Sequence, residues 1–332
     1  MTFQSRQLKQ TASENLQKAK NQREILLLYA AGMLGLSCLN LVIQALVSNG
    51  ISQTGGLIHM GNRSFLSAVS TFLPVLCSIG NLCLGFGYLG GMLRISRGQY
   101  ASRNALRTGF ERFWPLVRMK LLLGLVYLGA GIGASYLSAV IFLLSPFSAG
   151  FEEQLAPLIS GSSLLTGSTD LVLDDATLSA LSTAAIPLLL IFLVVALALV
   201  VPLLYRYRMA DFVLLDHPES GAMYALRESR KMMRGSRFGL FRLDLSFWWY
   251  YLLSVLVSAL AYGDVLLALL GVSLPMSETA ASFLFYFLYL AADFALLYCF
   301  YNKLNVTYAL AYNQVKPKEE TGGAVLGNIF QM

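Results

Sequence analysis

Charge is the first thing this chain has little of. Only 13% of its 332 residues are Asp, Glu, Lys or Arg, while 56% are hydrophobic. Soluble domains carry about 25% charged residues, so water cannot accommodate this much apolar surface and a lipid solvent is implied. Reactive groups are equally scarce. There are two histidines, His59 and His217, and four cysteines, Cys38, Cys77, Cys83 and Cys299, all four in apolar runs and without metal-ligand spacing. No His-Glu-x-x-His, Gly-x-Ser-x-Gly or phosphate-binding loop occurs. We therefore expect no enzymatic activity and no cofactor. One long stretch, residues 145–183, lacks Lys and Arg altogether and holds Glu152, Glu153, Asp170, Asp174 and Asp175. The spacing of these acids fits no calcium loop, which favours a solvated acidic surface, with one short helix at most.

What is present is a set of long apolar runs. Residues 25–48, 65–93, 121–144, 184–205, 243–262 and 280–301 each approach or exceed the roughly 20 residues that cross a hydrocarbon core. The fold class predicted is all-α, a polytopic bundle of six transmembrane helices with amphipathic surface helices. Residues 1–24 precede it as a polar, basic segment in which Leu8, Ala12, Leu16 and Ala19 recur at helical spacing, either a helix on the membrane surface or a solvated tail. Residues 302–332 follow as a polar tail with a helical start. The apolar piece within 263–279 is too short to cross and reads as re-entrant or interfacial.

The cations fix the topology. Every Lys and Arg except Arg63 falls in 1–24, 94–120, 206–242 or the C-terminal tail, and the acidic loop falls on the other side. Such one-sidedness places both termini in the cytoplasm and accounts for the net charge of +6 without nucleic acid. Trp114, Trp248 and Trp249 all fall at the inner headgroup level, where an indole keeps its N–H wet and its ring in lipid. His59 and His217 end up on opposite sides of the membrane.

Two basic connectors are amphipathic. Residues 94–120 carry Arg103, Arg107 and Arg112 beside an apolar side with Phe110, Phe113 and Trp114, and read as a helix in the headgroup region. Residues 206–242 carry Arg227, Arg230, Lys231, Arg234, Arg237 and Arg242, with a helix start at Asp216, a stop at Gly235, and an apolar stripe of Ala222, Met223, Leu226 and Met233. These nine cations form a surface for anionic phospholipid headgroups or for a membrane or cytoplasmic protein partner. ALR at 105–107 before RFWPLVR echoes ALR at 225–227 before RFGLFR, either an internal duplication or chance.

Inside the spans, GFGYLG at 85–90 matches the dinucleotide fingerprint but sits within an apolar helix, so Gly87 and Gly91 read as a close-packing face. Gly129 and Gly133, with Ala130, Ala134 and Ser138, read the same way in the third span. The chemically notable residue is Asp293, which no Lys or Arg of any span can neutralise. An ionised carboxylate there costs about 2.5 to 3.5 kcal/mol on insertion scales. Asp293 is expected to be largely protonated, or hydrogen-bonded to Asn81 or to a nearby Tyr, serving either a proton or substrate site or a tie between helices.

Ser229, Met233, Gly235, Phe241, Leu243, Leu245, Ser246 and Phe247 stand as in S-x-x-x-M-x-G-x(5)-F-x-L-x-L-S-F. This pattern resembles the signature of a bacterial membrane family known as domain of unknown function nine hundred and seventy-five. Leu8-Lys9 and Leu16 near the start, and Thr307, Ala309 and Tyr312 near the end, extend the likeness. Where that family usually has a Trp, this chain has Tyr250. The resemblance implies a multi-pass protein of the bacterial cytoplasmic membrane and no established activity. Physically the signature reads as a hinge: Gly235 ends a surface helix, Phe238, Leu240 and Phe241 dip into the acyl region, and Arg237 and Arg242 snorkel. The expected function is a membrane interaction or accessory module. The alternative is a small permease for an amphipathic or cationic solute using Asp293.

Overall fold

The computed structural model describes residues 4–19, 21–53, 60–146, 148, 175–269 and 277–316, and among them there is no strand. His59, Glu152, Glu153, Asp170, Asp174 and Lys318 lie outside the described residues, as does 270–276 within the short apolar piece.

Thirteen α-helices are described: α1 (Ser5–Lys18), α2 (Gln22–Gln53), α3 (Met60–Ser96), α4 (Thr108–Glu111), α5 (Phe113–Leu143), α6 (Asp175–Tyr207), α7 (Ala210–Asp216), α8 (Gly221–Met232), α9 (Arg237–Leu245), α10 (Trp248–Leu260), α11 (Gly263–Leu269), α12 (Glu278–Leu296) and α13 (Asn302–Val315). Among the described residues five helices, or helices with their continuations, are long and apolar enough to cross a membrane, and the bent pair α9–α10 makes a sixth when counted as one span. The chain is therefore an all-α bundle of membrane-spanning type.

Two compact units divide it, residues 1–117 with 209–332, and residues 118–208. In the first unit α2 and α3 pack antiparallel, with Gly32 against Leu84 and Gly80 against Leu36. A Cβ on Gly87 would overlap the Leu106 backbone, and one on Gly109 would overlap the Cys83 carbonyl. These two glycines let the 94–120 connector lie directly on α3, which supports the close-packing reading of Gly87. Gly91 makes ordinary contacts with Ile25 and Ala105. Of the expected packing face in the second unit, Ala134 and Ser138 are buried, while Gly129 and Gly133 have open space beside them.

Several boundaries move. The connector is not one surface helix: a 3-10 turn (Arg103–Arg107) and α4 precede a helix that starts at Phe113, well before residue 121. The echoed Ala-Leu-Arg pieces differ, one in that 3-10 turn and the other in α8. Asp216 ends α7 instead of starting a helix, and α8 follows a short 3-10 turn at Pro218–Ser220. Gly235, with φ of +82°, does stop the segment, since a left-handed backbone suits glycine. The fifth span is bent by 63° between Leu245 and Trp248.

The largest difference is at the C-terminal end. α12 does not stop at residue 301 but continues through a π-helical turn (Leu297–Tyr301) into α13, most of which is buried. α13 is the surface on which α1 docks: Leu8, Ala12 and Leu16 are buried, and α1 packs mainly against α13 and also touches α3. The apolar stripe of α1 therefore faces protein, not the leaflet.

Candidate functional site

Two groups of residues stand out, one on the surface and one within the spans. On the surface, α8 buries Ala222, Ala225, Ser229 and Met232 at helical spacing and turns Arg227, Arg230 and Lys231 outward. Met223, expected on the inner stripe, is 54% exposed. Past Gly235 the chain enters α9, which carries two apolar stripes. Leu240 and Leu243 are fully buried in protein, while Phe238, Phe241 and Leu245 are exposed. Leu240 thus belongs to the core and not to the acyl layer. Beyond the bend, Trp248 and Trp249 lie with ring centroids 4.0 Å apart, both exposed. Arg234 and Arg242, earlier in the same stretch, are exposed, whereas Arg237 is half-buried, its Nε without a hydrogen-bond partner.

The remaining predicted cations are held by their own partners. Arg103 pairs with Glu24 at 3.2 Å and Arg107 with Glu111 at 3.4 Å, both pairs exposed, and Lys231 pairs with Glu228 at 3.2 Å. Arg112 reaches the Leu215 carbonyl at 3.4 Å. Trp114 is exposed on the first turn of α5.

The bend is tied to the N-terminal helix. Lys9 Nζ donates to the Ser246 carbonyl at 2.5 Å and sits 3.9 Å above the Phe247 ring, a cation–π contact. Burial, and then the nearby Lys303, lower the Lys9 ammonium below its ordinary value. Ser246 Oγ meanwhile closes the end of α9 by donating to the Leu243 carbonyl at 2.6 Å.

Within the spans, Asp293 makes no hydrogen bond to Asn81, whose Oδ1 is buried without a partner, as is Asn40 Oδ1. An unpartnered buried acceptor costs about 1 to 3 kcal/mol, so these amides are strained features of the interior. Asp293 instead lies within electrostatic reach of Tyr29, Tyr250 and Tyr289. Beside it the rings of Tyr29, Tyr88 and Tyr301 stack, with centroids 4.6 Å, 5.2 Å and 5.8 Å apart. The Tyr88 hydroxyl donates to Asn302 Oδ1. Tyr301 and Asn302 flank the end of the π-helical turn, and such turns are frequent at functional sites. The sequence carries one signal for this cluster, isolated phenols inside apolar runs, from which a Tyr near Asp293 is expected but the stack is not.

A third group was also missed. Asp216, its side chain only 8% exposed, accepts from Arg97 Nη1 and Nη2 at 2.7 Å and 2.8 Å, from the Tyr312 hydroxyl at 2.9 Å and from Lys316 at 3.1 Å. The bond to Asp216 raises the Arg97 guanidinium above its ordinary value. Arg97 and Ser96 also engage Asn313, so the end of α3, the end of α7 and α13 are fastened at one carboxylate. The bidentate geometry marks this as a structural clasp.

The signature residues now have places. Ser229, Met233 and Leu243 are buried, Gly235 turns the chain, Phe241 and Leu245 face outward, and Ser246 and Phe247 receive Lys9. A family model described as Protein of unknown function (DUF975) matches residues 1–305. The chain belongs to that family. Thr307, Ala309 and Tyr312 lie beyond the matched residues, so the likeness drawn from them is not part of the match. No curated protein and no solved structure matches this DUF975 chain.

Proposed function

We propose that the protein is a non-enzymatic accessory module of the bacterial cytoplasmic membrane, with both termini inside, whose α8–α10 face binds the headgroups of anionic phospholipid. One observation carries this reading. Phe238, Phe241, Leu245, Trp248 and Trp249 are exposed on either side of a 63° bend, in the same stretch of chain as the exposed cations Arg234 and Arg242. Aromatic and aliphatic side chains left outside the protein core suit the acyl boundary, and cations at their edge suit phosphates. Each basic residue near an anionic leaflet contributes about 1 kcal/mol of attraction. A bend at the interface lets α9 lie along the leaflet while α10 enters it.

The test is lipid retention. Protein reconstituted in discs of mixed anionic and zwitterionic lipid is recovered and its bound lipid counted by native mass spectrometry. The expected result is enrichment of anionic lipid that falls in R234Q/R242Q. Equal retention of both lipids, or no change in the variant, would count against the reading and in favour of a protein partner on this face.

A further inference from the structure

A cavity lies where α1 turns into α2, and it does not rest on the interfacial face. The elbow is closed by Ala19 N–H donating to the Asn15 and Leu16 carbonyls at 3.1 Å and 3.2 Å, and by Gln22 N–H donating to the Ala19 carbonyl at 3.3 Å. α3 ends in a second turn, where Gly98 takes φ of +71° and Gln99 N–H returns to the Arg94 carbonyl at 2.9 Å. Two amides hold the turns together: Asn15 Nδ2 donates to the Ser96 carbonyl at 3.3 Å, and Asn21 Nδ2 donates to the Tyr100 hydroxyl. Between them is a cavity of about 370 Å³, within the roughly 300 to 1,000 Å³ of small-molecule sites. Ala19 and Ile95 give it an apolar wall and Tyr100 a ring, while Lys18, Gln22 and Gln99 supply polar groups.

Lys18 is the charged residue of this lining, and no carboxylate joins it. Glu24, the acid nearest the elbow in sequence, pairs with Arg103 at 3.2 Å instead. The side chains of Lys18, Gln22 and Gln99 have no hydrogen-bond or ionic partner among the described residues. One cation and two amides, each amide both donor and acceptor, are therefore open to an occupant. α2 begins at this wall, and its N-terminal dipole adds positive potential. The matching occupant has an anionic group, an edge that pairs with amides and faces that suit Ala19, Ile95 and the Tyr100 ring. A bare sugar phosphate spreads hydroxyls around its ring and leaves some against the apolar wall. A nucleobase has two apolar faces for stacking and a polar edge of the kind that Gln and Asn pair with. We propose that this cavity binds a nucleoside monophosphate, with its base between the apolar wall, Tyr100 and the two glutamines and its phosphate at Lys18. Bound there, the nucleotide braces the α1–α2 elbow against the end of α3.

The experiment titrates the full chain in phosphatidylcholine discs with adenosine monophosphate and follows the thermal unfolding midpoint, with adenosine, ribose phosphate and inorganic phosphate as separate controls. The expected result is a saturable upward shift that is largest with the nucleotide. Lys18→Met should weaken nucleotide affinity about tenfold, as loss of one charge-assisted hydrogen bond does, and leave the response to adenosine unchanged. Gln22→Leu with Gln99→Leu should remove the advantage of the nucleotide over ribose phosphate. None of these three side chains is buried, so the variants are expected to fold. An equal shift with inorganic phosphate would reduce the cavity to an anion-binding spot and overturn the proposal, and an equal shift with ribose phosphate would do the same for the base. The absence of a saturable shift at millimolar nucleotide, or an undiminished nucleotide response in either variant, would overturn it as well.

Discussion

α1 and α9 are both short, basic and amphipathic, yet their apolar residues go to different places. α1 has one stripe, Leu8, Ala12 and Leu16, and all of it is buried, mainly on α13. α9 has two, and only Leu240 and Leu243 are covered, while Phe238 is 77% exposed and Leu245 59%. A single narrow stripe is consumed by one protein partner. A helix with apolar residues on two sides needs a second apolar medium, which on the proposed reading is lipid. Basic amphipathic composition alone does not separate the two helices; the exposed second stripe of α9 does.

The comparison can be broken or sharpened by substitution. The largest effect is expected from Leu8→Asp, which puts a carboxylate in a site 3% exposed and should cost more than about 3 kcal/mol. Detergent unfolding curves and faster proteolysis at residues 19–21 would report it. Unchanged curves would mean that α1 is not docked. Asp216→Asn leaves Arg97 and Lys316 without their anion at the base of the α13 platform. Because both cations are partly exposed, a loss of about 2 kcal/mol is expected by chemical unfolding. Lys9→Met removes one charged hydrogen bond and one cation–π contact, for about 1 kcal/mol on the same assay. The smallest effect on stability should come from Phe238→Gln with Phe241→Gln, within about 0.5 kcal/mol in detergent. The same pair should lower anionic lipid retention in discs. A large loss of stability in detergent would make α9 a core helix and erase the contrast with α1.

Much of this was legible in the chain. The stripe of α1, the stop at Gly235 and the apolar spans follow from periodicity, backbone freedom and hydropathy, which are local properties. The destination of α1 was not, because it depends on α13. Asn302, Asn305, Thr307, Tyr308, Tyr312 and Asn313 make that segment read as a polar tail, but each makes a hydrogen bond within the protein. Asn305 donates to the Tyr301 carbonyl at 2.9 Å, Thr307 to the Lys303 carbonyl at 2.6 Å, and Tyr312 to Asp216. Hydropathy counts such groups as wet whether or not they are. The bend after Leu245 was hidden for a related reason, since residues 243–262 are mostly apolar and Asp244 and Ser246 do not by themselves mark a change of direction. For the candidate site, Asp293 and the exposed cations and tryptophans could be picked out singly. The stacking of Tyr29, Tyr88 and Tyr301 joins residues far apart in sequence and requires the fold.

The most direct test of the interfacial face is the depth of its tryptophans. In a Trp114→Phe background only Trp248 and Trp249 emit, and their fluorescence can be read in discs whose acyl chains carry bromine at graded depths. Quenching strongest for bromine close to the headgroup, and weaker toward the bilayer centre, is the predicted result. Emission insensitive to bromine at every depth, with ready quenching by an aqueous quencher, would contradict it.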